Sequence, residues 1–467
     1  MLQKPAQFHN LEKTTNSLLD LYKKGKFKEI IRKDDELVQL YPDSTQILNI
    51  LGSSHLALEY FQKAINNFKQ ALAVNSNQPE IFYNLGLSFH YKGNFRSALK
   101  SYKKALEIQP NYEECYCNMG MSLNELGNIK ESINCFKKTI EINPFHVGAY
   151  FNLGLAYEKK REINLAILNY KKVIKLEPTF WRAYVSLGSI FSKNKKIKLS
   201  ILYFQNALNY VSHNSEIYFV QALNYFKLRD FEKASLHFKK CIELDPDNQD
   251  ALHLNNSLIG RNTNTAPQGY VKNLFNNYAK NFEHSLVNEL DYKVPQEIRN
   301  LLKNKLSKFA SSILDLGCGT GLVGIELSRY CKYLEGVDIS ESMIELSKKK
   351  KIYNKLIISD ISQYLEKNIL SFDYFIAADV FIYLGELDNI FSLIKNRNNK
   401  PGHLVFSTEY NEGNGYKLEK SGRFSHSNQY ITSLCNKLGF SVINLKKIKL
   451  RKENNSYISG AIYNLKF

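Results

Sequence analysis

One small residue recurs every 34 positions through the first half of the chain. These positions are Gly52, Gly86, Gly120, Gly154, Gly188 and Ala222. An aromatic column keeps the same period, at Phe68, Tyr102, Phe136, Tyr170, Phe204 and Phe238. Prolines close most of the units, at Pro42, Pro110, Pro144, Pro178 and Pro246. Columns that stay in phase in this way indicate a tandem repeat array.

Each unit is predicted to be a helical hairpin. Small residues let two helices approach closely, the aromatic residue fills the space between them, and the proline ends the second helix. About seven units fit within residues 11–248, and a helix near residues 249–259 is expected to cap the array. The first unit is degenerate, because Leu18 and Ile30 replace the small residues. The sequence therefore predicts an all-α superhelix over residues 1–259.

The repeats share a short motif around their glycines. Ile81–Phe89 and Ala149–Tyr157 both contain Asn-Leu-Gly-Leu. This phasing resembles the tetratricopeptide repeat, which implies a superhelix whose concave face binds a protein or peptide segment. The recurring amides, with one neighbouring tyrosine, are candidates for partner binding: Tyr83, Asn84, Asn118 and Asn152. The alternative is that the asparagines recur by duplication and only cap helices or contact solvent.

Composition excludes several classes of protein. The 467 residues are 44% hydrophobic and 23% charged, which is typical of a folded globular chain. No apolar run is long enough to span a membrane and no secretory signal is evident, so we expect a cytoplasmic protein. The seven cysteines form no zinc-type pairs, which favours reduced thiols over a metal site. The net charge of +18 leaves nucleic acid possible as a partner, but a generally basic surface is the favoured explanation.

The pattern changes after the polar segment Gly260–Gly269, which reads as a linker. Seven β-rich runs then alternate with helical stretches: Ser312–Leu316, Leu334–Val337, Leu356–Ile358, Tyr374–Ala377, His403–Ser407, Ser441–Leu445 and Ile458–Leu465. Alternation of this kind predicts a mostly parallel sheet flanked by helices. The last two runs lack an intervening helix, so the sheet is expected to end in an antiparallel hairpin.

A glycine-rich turn follows the first predicted strand. Glycines at this place let the backbone approach a ligand and leave helix N–H groups facing it. Asp338 ends the next predicted strand, where a carboxylate can accept both ribose hydroxyls. Two nucleoside cofactors fit these features. A nicotinamide dinucleotide is one of them, because Gly319, Gly321 and Gly324 satisfy the GxGxxG spacing.

The other cofactor is favoured by the placement of the glycines. The turn begins directly after the strand, at Gly317, and gives Asp315-x-Gly317-x-Gly319-x-Gly321. This order resembles the first motif of class I S-adenosylmethionine-dependent methyltransferases. Ser359-Asp360-Ile361 and Phe372–Asp379 resemble the later motifs. The resemblance covers residues 270–467 and implies a Rossmann-like, seven-stranded methyltransferase domain. Bacterial proteins that join tetratricopeptide repeats to such a domain look similar.

The resemblance implies roles for particular residues. Gly317, Gly319 and Gly321 would cradle the methionine moiety, and Asp315 would orient its ammonium group. Asp338 would hold the ribose. The adenine would lie between Met343 and Ile361, and Asp360 would accept from its amino group. The cofactor-contacting set also includes Ile339 and Asp379. Three of these roles have structural alternatives: Asp315 as a cap of the glycine turn, Met343 as a helix core residue, and Asp360 as a helix N-cap.

The acceptor side of the site is less defined. Positioning of the acceptor supplies much of the rate of methyl transfer, so a catalytic base is not required. The candidates for acceptor contact or catalysis are Tyr278, His284, Asp379, Tyr383, Arg423, His426 and Tyr430. The sequence thus predicts a methyltransferase whose repeats recruit or position an acceptor of unknown identity. The alternative is a non-enzymatic scaffold whose sheet domain senses S-adenosylmethionine or is vestigial.

Overall fold

A computed structural model describes residues 4–453 and 456–467, without side-chain detail at residues 4–9. Contacts divide the chain into two compact units, one ending at Ser212 and the other formed by His213–Phe467. Among the described residues, no helix is both long enough and apolar enough to cross a membrane.

The first unit consists of helical hairpins. Its helices are α1 (Lys4–Lys23), α2 (Phe27–Ile31), α3 (Asp34–Leu40), α4 (Thr45–Ala57), α5 (Phe61–Val74), α6 (Pro79–Tyr91), α7 (Phe95–Ile108), α8 (Glu113–Glu125), α9 (Ile129–Ile142), α10 (Val147–Lys159), α11 (Ile163–Leu176), α12 (Trp181–Lys193) and α13 (Ile197–Leu208). The in-phase prolines lie two residues after a helix end, as at Ile108 and Pro110. The degenerate first unit differs from the others, because its second half is split into α2 and α3.

The glycine column contacts the aromatic column inside each hairpin. A Cβ atom built on Gly86 would lie 2.4 Å from the Tyr102 ring, and one on Gly154 would lie 2.5 Å from the Tyr170 ring. Both rings are fully buried. Real side-chain carbons do not approach so closely, so these positions require glycine. The predicted helical hairpins are therefore confirmed, together with the reason for their period.

The second unit begins with one further hairpin and continues into an α/β domain. Its helices are α14 (Ser215–Lys227), α15 (Phe231–Leu244), α16 (Gln249–Ile259), α17 (Gln268–Tyr278), α18 (Val294–Leu302), α19 (Leu322–Leu327), α20 (Glu341–Lys350), α21 (Ile361–Lys367), α22 (Asp388–Arg397) and α23 (Asn428–Leu438). Its strands are β1 (Ser312–Leu316), β2 (Tyr333–Asp338), β3 (Lys355–Ile358), β4 (Tyr374–Ala377), β5 (His403–Asn411), β6 (Tyr416–Leu418), β7 (Phe424–Ser427), β8 (Ser441–Glu453) and β9 (Ser456–Lys466).

The strands form one mixed sheet. β3, β2, β1, β4 and β5 are neighbours in that order and run parallel. β9 pairs antiparallel with both β5 and β8, which confirms the predicted closing hairpin. All seven predicted strands are present, and β6 and β7 are two short additions beside the end of β5. Neighbouring residues such as Ile313 and Leu314 are buried in separate apolar clusters, because side chains alternate between the two covered faces.

The segment between the repeats and the sheet domain differs from the prediction. Residues 260–269 are not a flexible linker, because their polar groups bond to the sheet domain at residues 383–386 and 416–418. α16, expected only to cap the repeats, also contacts this domain: His253 Nε2 bonds to the carbonyl oxygen of Gly422 (2.9 Å). The structure accordingly groups the last hairpin and α16 with the sheet, rather than dividing the chain at residue 260.

Candidate functional site

A cavity of about 730 Å³ lies at the carboxyl ends of the parallel strands. The turns after β1, β2, β3 and β4 form one side of it. Helix α17 and the chain that follows it, as far as Tyr292, supply much of the rest. In parallel sheets flanked by helices, this edge is where ligands bind.

The turn after β1 is joined to the end of β2. Gly317 and Gly319 both line the cavity and both adopt left-handed backbone angles, with φ of +67° and +54°. The backbone N–H of Gly319 donates to Oδ2 of Asp338 (2.8 Å), and the N–H of Ser340 donates to Oδ1 (2.8 Å). Burial raises the pKa of Asp338, although these two donors oppose the shift. Asp338 therefore both fixes the glycine turn and faces the cavity.

The turn after β3 adds a second carboxylate. Asp360 caps α21, because its Oδ1 accepts from the backbone N–H groups of Ser362 (2.9 Å) and Gln363 (3.1 Å). The N-cap alternative is thus correct, but Asp360 also lines the cavity. The cap uses only Oδ1, so Oδ2 can accept from a ligand. Ile339 and Ile361 line the same part of the wall and give it an apolar surface.

Three residues predicted to contact a cofactor are not on the cavity wall. Asp315 is buried behind it, where its Oδ2 accepts from the Tyr353 hydroxyl (2.6 Å). Burial raises the pKa of Asp315 to about 7. Met343 is fully buried in α20, as the core alternative anticipated. A Cβ atom on Gly321 would lie 2.9 Å from the Ser347 hydroxyl, so this glycine permits helix packing.

A network of charged side chains surrounds the end of β4. Asp379 has a left-handed φ of +57°, which is uncommon for a residue with a Cβ atom. Its Oδ1 accepts from the Ser407 hydroxyl (2.9 Å), and its Oδ2 accepts from Arg451 (2.5 Å). Arg451 also contacts Glu409, which binds Nε of Arg423 (2.7 Å). Both arginines line the cavity with Asp379. Each guanidinium is paired with carboxylates of the network. The network holds Asp379 in one orientation.

The remaining acceptor-side candidates fall into two groups. Tyr278 and Tyr383 line the cavity. His284 is exposed, with 70% of its side chain accessible. His426 is fully buried and bonds through Nε2 to the carbonyl oxygen of Gly385 (3.0 Å). The Tyr430 hydroxyl accepts from the backbone N–H of Leu387 (2.8 Å) and also lies off the wall. The structure therefore does not bring His284, His426 and Tyr430 into the site.

The site also contains residues that the sequence analysis did not single out. Phe275, Phe282 and Leu286 give the wall a large apolar area. They lie in the segment before β1, where the sequence prediction named only Tyr278 and His284 as candidates. Arg451 was missed because β8 continues beyond its predicted end, and its contact with Asp379 depends on the pairing of distant strands.

In the first unit, the repeated asparagines contact neighbouring repeats. Asn118 Nδ2 donates to the Tyr83 hydroxyl (3.1 Å) and to the carbonyl oxygen of Glu114 (2.9 Å). Asn84 Nδ2 lies 3.5 Å from Oδ1 of Asn49, one repeat earlier. Asn84, Asn118 and Asn152 are all partly exposed. A ladder of amides therefore follows the first helices of the hairpins.

Family models match both parts of the chain. A methyltransferase domain model matches residues 307–451. Tetratricopeptide repeat models match residues 79–112, 147–180 and 215–248, and a related repeat model matches residues 52–93 and 120–160. The matches to the repeats and to the sheet domain do not overlap.

Individual relatives cover limited parts of the chain. A protein from Schizosaccharomyces pombe, named an uncharacterized methyltransferase, is 41% identical over 49 residues. The match spans 10% of this chain and 17% of that protein. The crystal structure of MamA is 28% identical, with a TM-score of 0.33, and covers 34% of this chain and 94% of MamA. The C-terminal part of a repeat-containing protein from Cytophaga hutchinsonii is 21% identical, with a TM-score of 0.43, over 51% of this chain and 98% of its own.

Proposed function

Because the chain carries tetratricopeptide repeats and a methyltransferase domain, we propose that it is an S-adenosylmethionine-dependent methyltransferase whose repeats bind the acceptor or its carrier. The cavity carries this proposal. It brings together the glycine turn at Gly317 and Gly319, the carboxylates of Asp338 and Asp360, and an apolar wall.

The residues present fit the cofactor chemically. Asp338 retains acceptor capacity for ribose hydroxyls, because each carboxylate oxygen has two lone pairs and has one described backbone donor. Oδ2 of Asp360 is suited to accept from an adenine amino group. Ile339 and Ile361 offer apolar surface to a flat ring. The volume of about 730 Å³ falls within the usual range for small-molecule sites.

The chain's own groups orient the reactants and exclude water. S-adenosylmethionine supplies an activated methyl group when bound. Asp379, fixed by Arg451 and Ser407, can accept a hydrogen bond from an acceptor hydroxyl or amine. Phe275, Phe282 and Tyr383 line the cavity and keep water from the reacting groups. In-line positioning then supplies a large part of the rate.

Calorimetric titration of the full chain with S-adenosylmethionine tests the cofactor claim. Asp360→Asn keeps the Oδ1 cap and replaces only the free oxygen, so it should weaken cofactor binding about tenfold through one lost hydrogen bond. Asp338→Asn should weaken binding more, because it disturbs the glycine turn as well. Asp373→Asn is the matched control: Asp373 also accepts a backbone N–H, from Ser312 (2.7 Å), but it lies at the opposite edge of the sheet. Tight NADH binding without S-adenosylmethionine binding would refute the proposal.

Turnover separates an enzyme from a scaffold. The protein is incubated with S-adenosylmethionine and an extract of the cells that express it, and S-adenosylhomocysteine is measured. An enzyme forms this product, and Asp379→Asn should slow its formation by a larger factor than it weakens cofactor binding. Cofactor binding without any product would favour the sensing or vestigial scaffold.

The amide ladder supports the role proposed for the repeats. Replacing Asn84, Asn118 and Asn152 by alanine should reduce capture of a partner by the full chain without changing cofactor affinity. Asn66→Ala, an exposed asparagine on a second helix, is the control. If the triple variant captures the same partners as the wild type, the ladder serves the stability of the repeat array alone.

A further inference from the structure

Residues Asn262–Ala266, here called the strap, connect the last helix of the repeats to α17. The strap runs beside the loop that follows β4. The N–H of Ala266 donates to the carbonyl oxygen of Tyr383 (2.9 Å), and Thr265 forms an antiparallel bridge with Leu384. Ala266 is almost fully buried. The strap is therefore a structural part of the sheet domain, although it precedes the matched methyltransferase region.

Asn264 makes the most extensive contacts of the strap. Its carbonyl oxygen accepts from the N–H groups of both Gly385 and Glu386 (2.9 Å each). Its Nδ2 donates to Oε2 of Glu386 (2.9 Å), and its Oδ1 accepts from the Tyr416 hydroxyl (3.1 Å). One residue thus links the loop after β4 to the hairpin of β6 and β7.

The loop is shaped to receive the strap. A Cβ atom on Gly385 would lie 2.8 Å from the carbonyl oxygen of Thr263 and 2.6 Å from the Tyr416 ring. Only glycine allows this approach. Asn262 fixes the other side, since its Nδ2 donates to the carbonyl oxygen of Tyr416 (3.0 Å) and its Oδ1 accepts from the N–H of Leu418 (2.8 Å).

The strap and its contacts lie on the wall of the cavity. Asn264, Ala266, Tyr383, Leu384 and Glu386 all line it. The carboxylates assigned to the cofactor belong to other turns, after β2 and β3. The strap therefore borders the part of the cavity left for the acceptor.

We propose that Asn264 is a positioning residue for the acceptor: it holds the loop at residues 383–386 in place through Glu386 and so sets the acceptor-side wall. This inference rests on the proposed function, because it assumes that the cavity binds an acceptor. In this proposal the strap forms part of the acceptor site. Asn264 itself does not contact the reacting atoms.

A polarity swap tests the contact between Asn264 and Glu386. Asn264→Asp places two carboxylates together and removes the donor. Adding Glu386→Gln restores one donor and one acceptor in reverse order, at the same net charge as the wild type. The four proteins are wild type, N264D, E386Q and the double variant. They are assayed with S-adenosylmethionine carrying a tritiated methyl group and an extract of the expressing cells.

We expect N264D to change the dependence of methyl transfer on the acceptor extract and not its dependence on S-adenosylmethionine. In the wild-type background, N264D should raise the extract concentration for half-maximal transfer about fivefold, the loss expected for one hydrogen bond replaced by repulsion. In the E386Q background, the same substitution should raise this extract concentration less than about twofold. The S-adenosylmethionine concentration for half-maximal transfer should stay constant throughout. The proposal is overturned if N264D raises the extract concentration for half-maximal transfer equally in both backgrounds. It is also overturned if N264D raises the corresponding S-adenosylmethionine concentration by the same factor.

Hydrogen exchange provides a readout that needs no acceptor. The Gly385 and Glu386 amides should exchange slowly in the wild type, faster in N264D, and slowly again in the double variant. Tyr416→Phe is the second variant, for use if N264D does not fold. It removes one donor to Asn264 without adding charge, and it should accelerate the hydrogen exchange of the same two amides. Unchanged exchange in these variants refutes the positioning role. Failure of the wild type to bind S-adenosylmethionine would instead refute the proposed function.

Discussion

His426 shows how burial fixes the role of a titratable residue. Its side chain is inaccessible, and Nε2 donates to the carbonyl oxygen of Gly385 (3.0 Å). Burial lowers the pKa of His426 to about 4, although the backbone acceptor opposes the shift. The imidazole is therefore neutral near pH 7. Its position beside the loop that contacts the strap indicates a structural role rather than proton transfer.

This depressed pKa predicts how stability changes in acid. Between the ordinary histidine pKa of about 6.5 and the folded value of about 4, the unfolded chain binds a proton that the folded chain does not. The contribution of His426 is thus present above about pH 6.5 and is lost as the pH falls toward 4, by an amount on the order of 3 kcal/mol.

Chemical denaturation of wild type and His426→Gln from pH 7 to pH 4 tests this expectation. Glutamine keeps a donor for Gly385 but does not titrate in this range. The stability advantage of the wild type over the variant should shrink as the pH falls. Parallel pH profiles for the two proteins would show that His426 is accessible to protons in the folded state.

Residues of the site differed in how far the sequence could locate them. Asp338 and Asp360 were predictable, because each follows a predicted parallel strand and the carboxyl ends of parallel strands share one edge of the sheet. Arg451 was not, because its contact with Asp379 requires the register of β8 on β9 and of β9 on β5. Met343 lies in the expected helix, but which face of α20 meets the cavity depends on packing that no local pattern encodes.

At the scale of elements, the glycine column of the repeats gives a sharp stability test. Gly154→Ala would place a carbon 2.5 Å from the Tyr170 ring inside the hairpin of α10 and α11. We expect a loss of about 1–3 kcal/mol, as for other overpacked cores. Gly148 lies in the same helix, and the nearest atom to an added carbon would belong to the His146 ring, at 3.3 Å. Gly148→Ala should be neutral or stabilising by up to about 1 kcal/mol, because alanine favours helix.

Thermal denaturation of both variants tests this expectation through their melting temperatures. The two substitutions add the same atoms to the same helix, so helix propensity alone would move both melting temperatures upward. A lower melting temperature for Gly154→Ala only is the expected result. Equal shifts would mean that the hairpin can open to admit a larger residue at the glycine column.

The periodic elements were predictable and the short ones were not. The repeat period located each hairpin because every unit repeats the same buried contacts. β6 and β7 were missed because they have only three and four residues, and polar residues such as Ser425, His426 and Ser427 interrupt any apolar alternation. They exist because β7 pairs with the end of β5 and β6 pairs with β7. Such strands are specified by their neighbours.

For the whole chain, the boundary of the sheet domain is the main departure from the sequence prediction. Residues 260–269 are polar and flanked by glycines, as linkers are. Their asparagines, however, use side-chain and backbone groups to bind the sheet domain. Composition cannot distinguish a solvated linker from a segment bound to the sheet domain, because the same polar groups bind water in one case and protein in the other.

This boundary predicts a difference between two fragments. A fragment of residues 213–467 keeps α16, the strap and the contact of His253 with Gly422. A fragment of residues 265–467 lacks His253, Asn262 and Asn264. Each lost hydrogen bond costs about 0.5–1.5 kcal/mol. For a domain of this size, each kcal/mol lowers the melting temperature by about 2–4 °C. The shorter fragment should therefore melt at least about 5 °C below the longer one.

Scanning calorimetry of both fragments beside the full chain measures the difference. Both fragments retain the turns after β1, β2 and β3, so both should bind S-adenosylmethionine if they fold. The shorter fragment should lose protection at the Gly385 and Glu386 amides, because their acceptor on Asn264 is gone. Equal melting temperatures and equal amide protection would place the boundary of the domain within the strap, at residue 265. Methyl transfer that survives only in the longer fragment would instead make the last hairpin and the strap part of the enzyme.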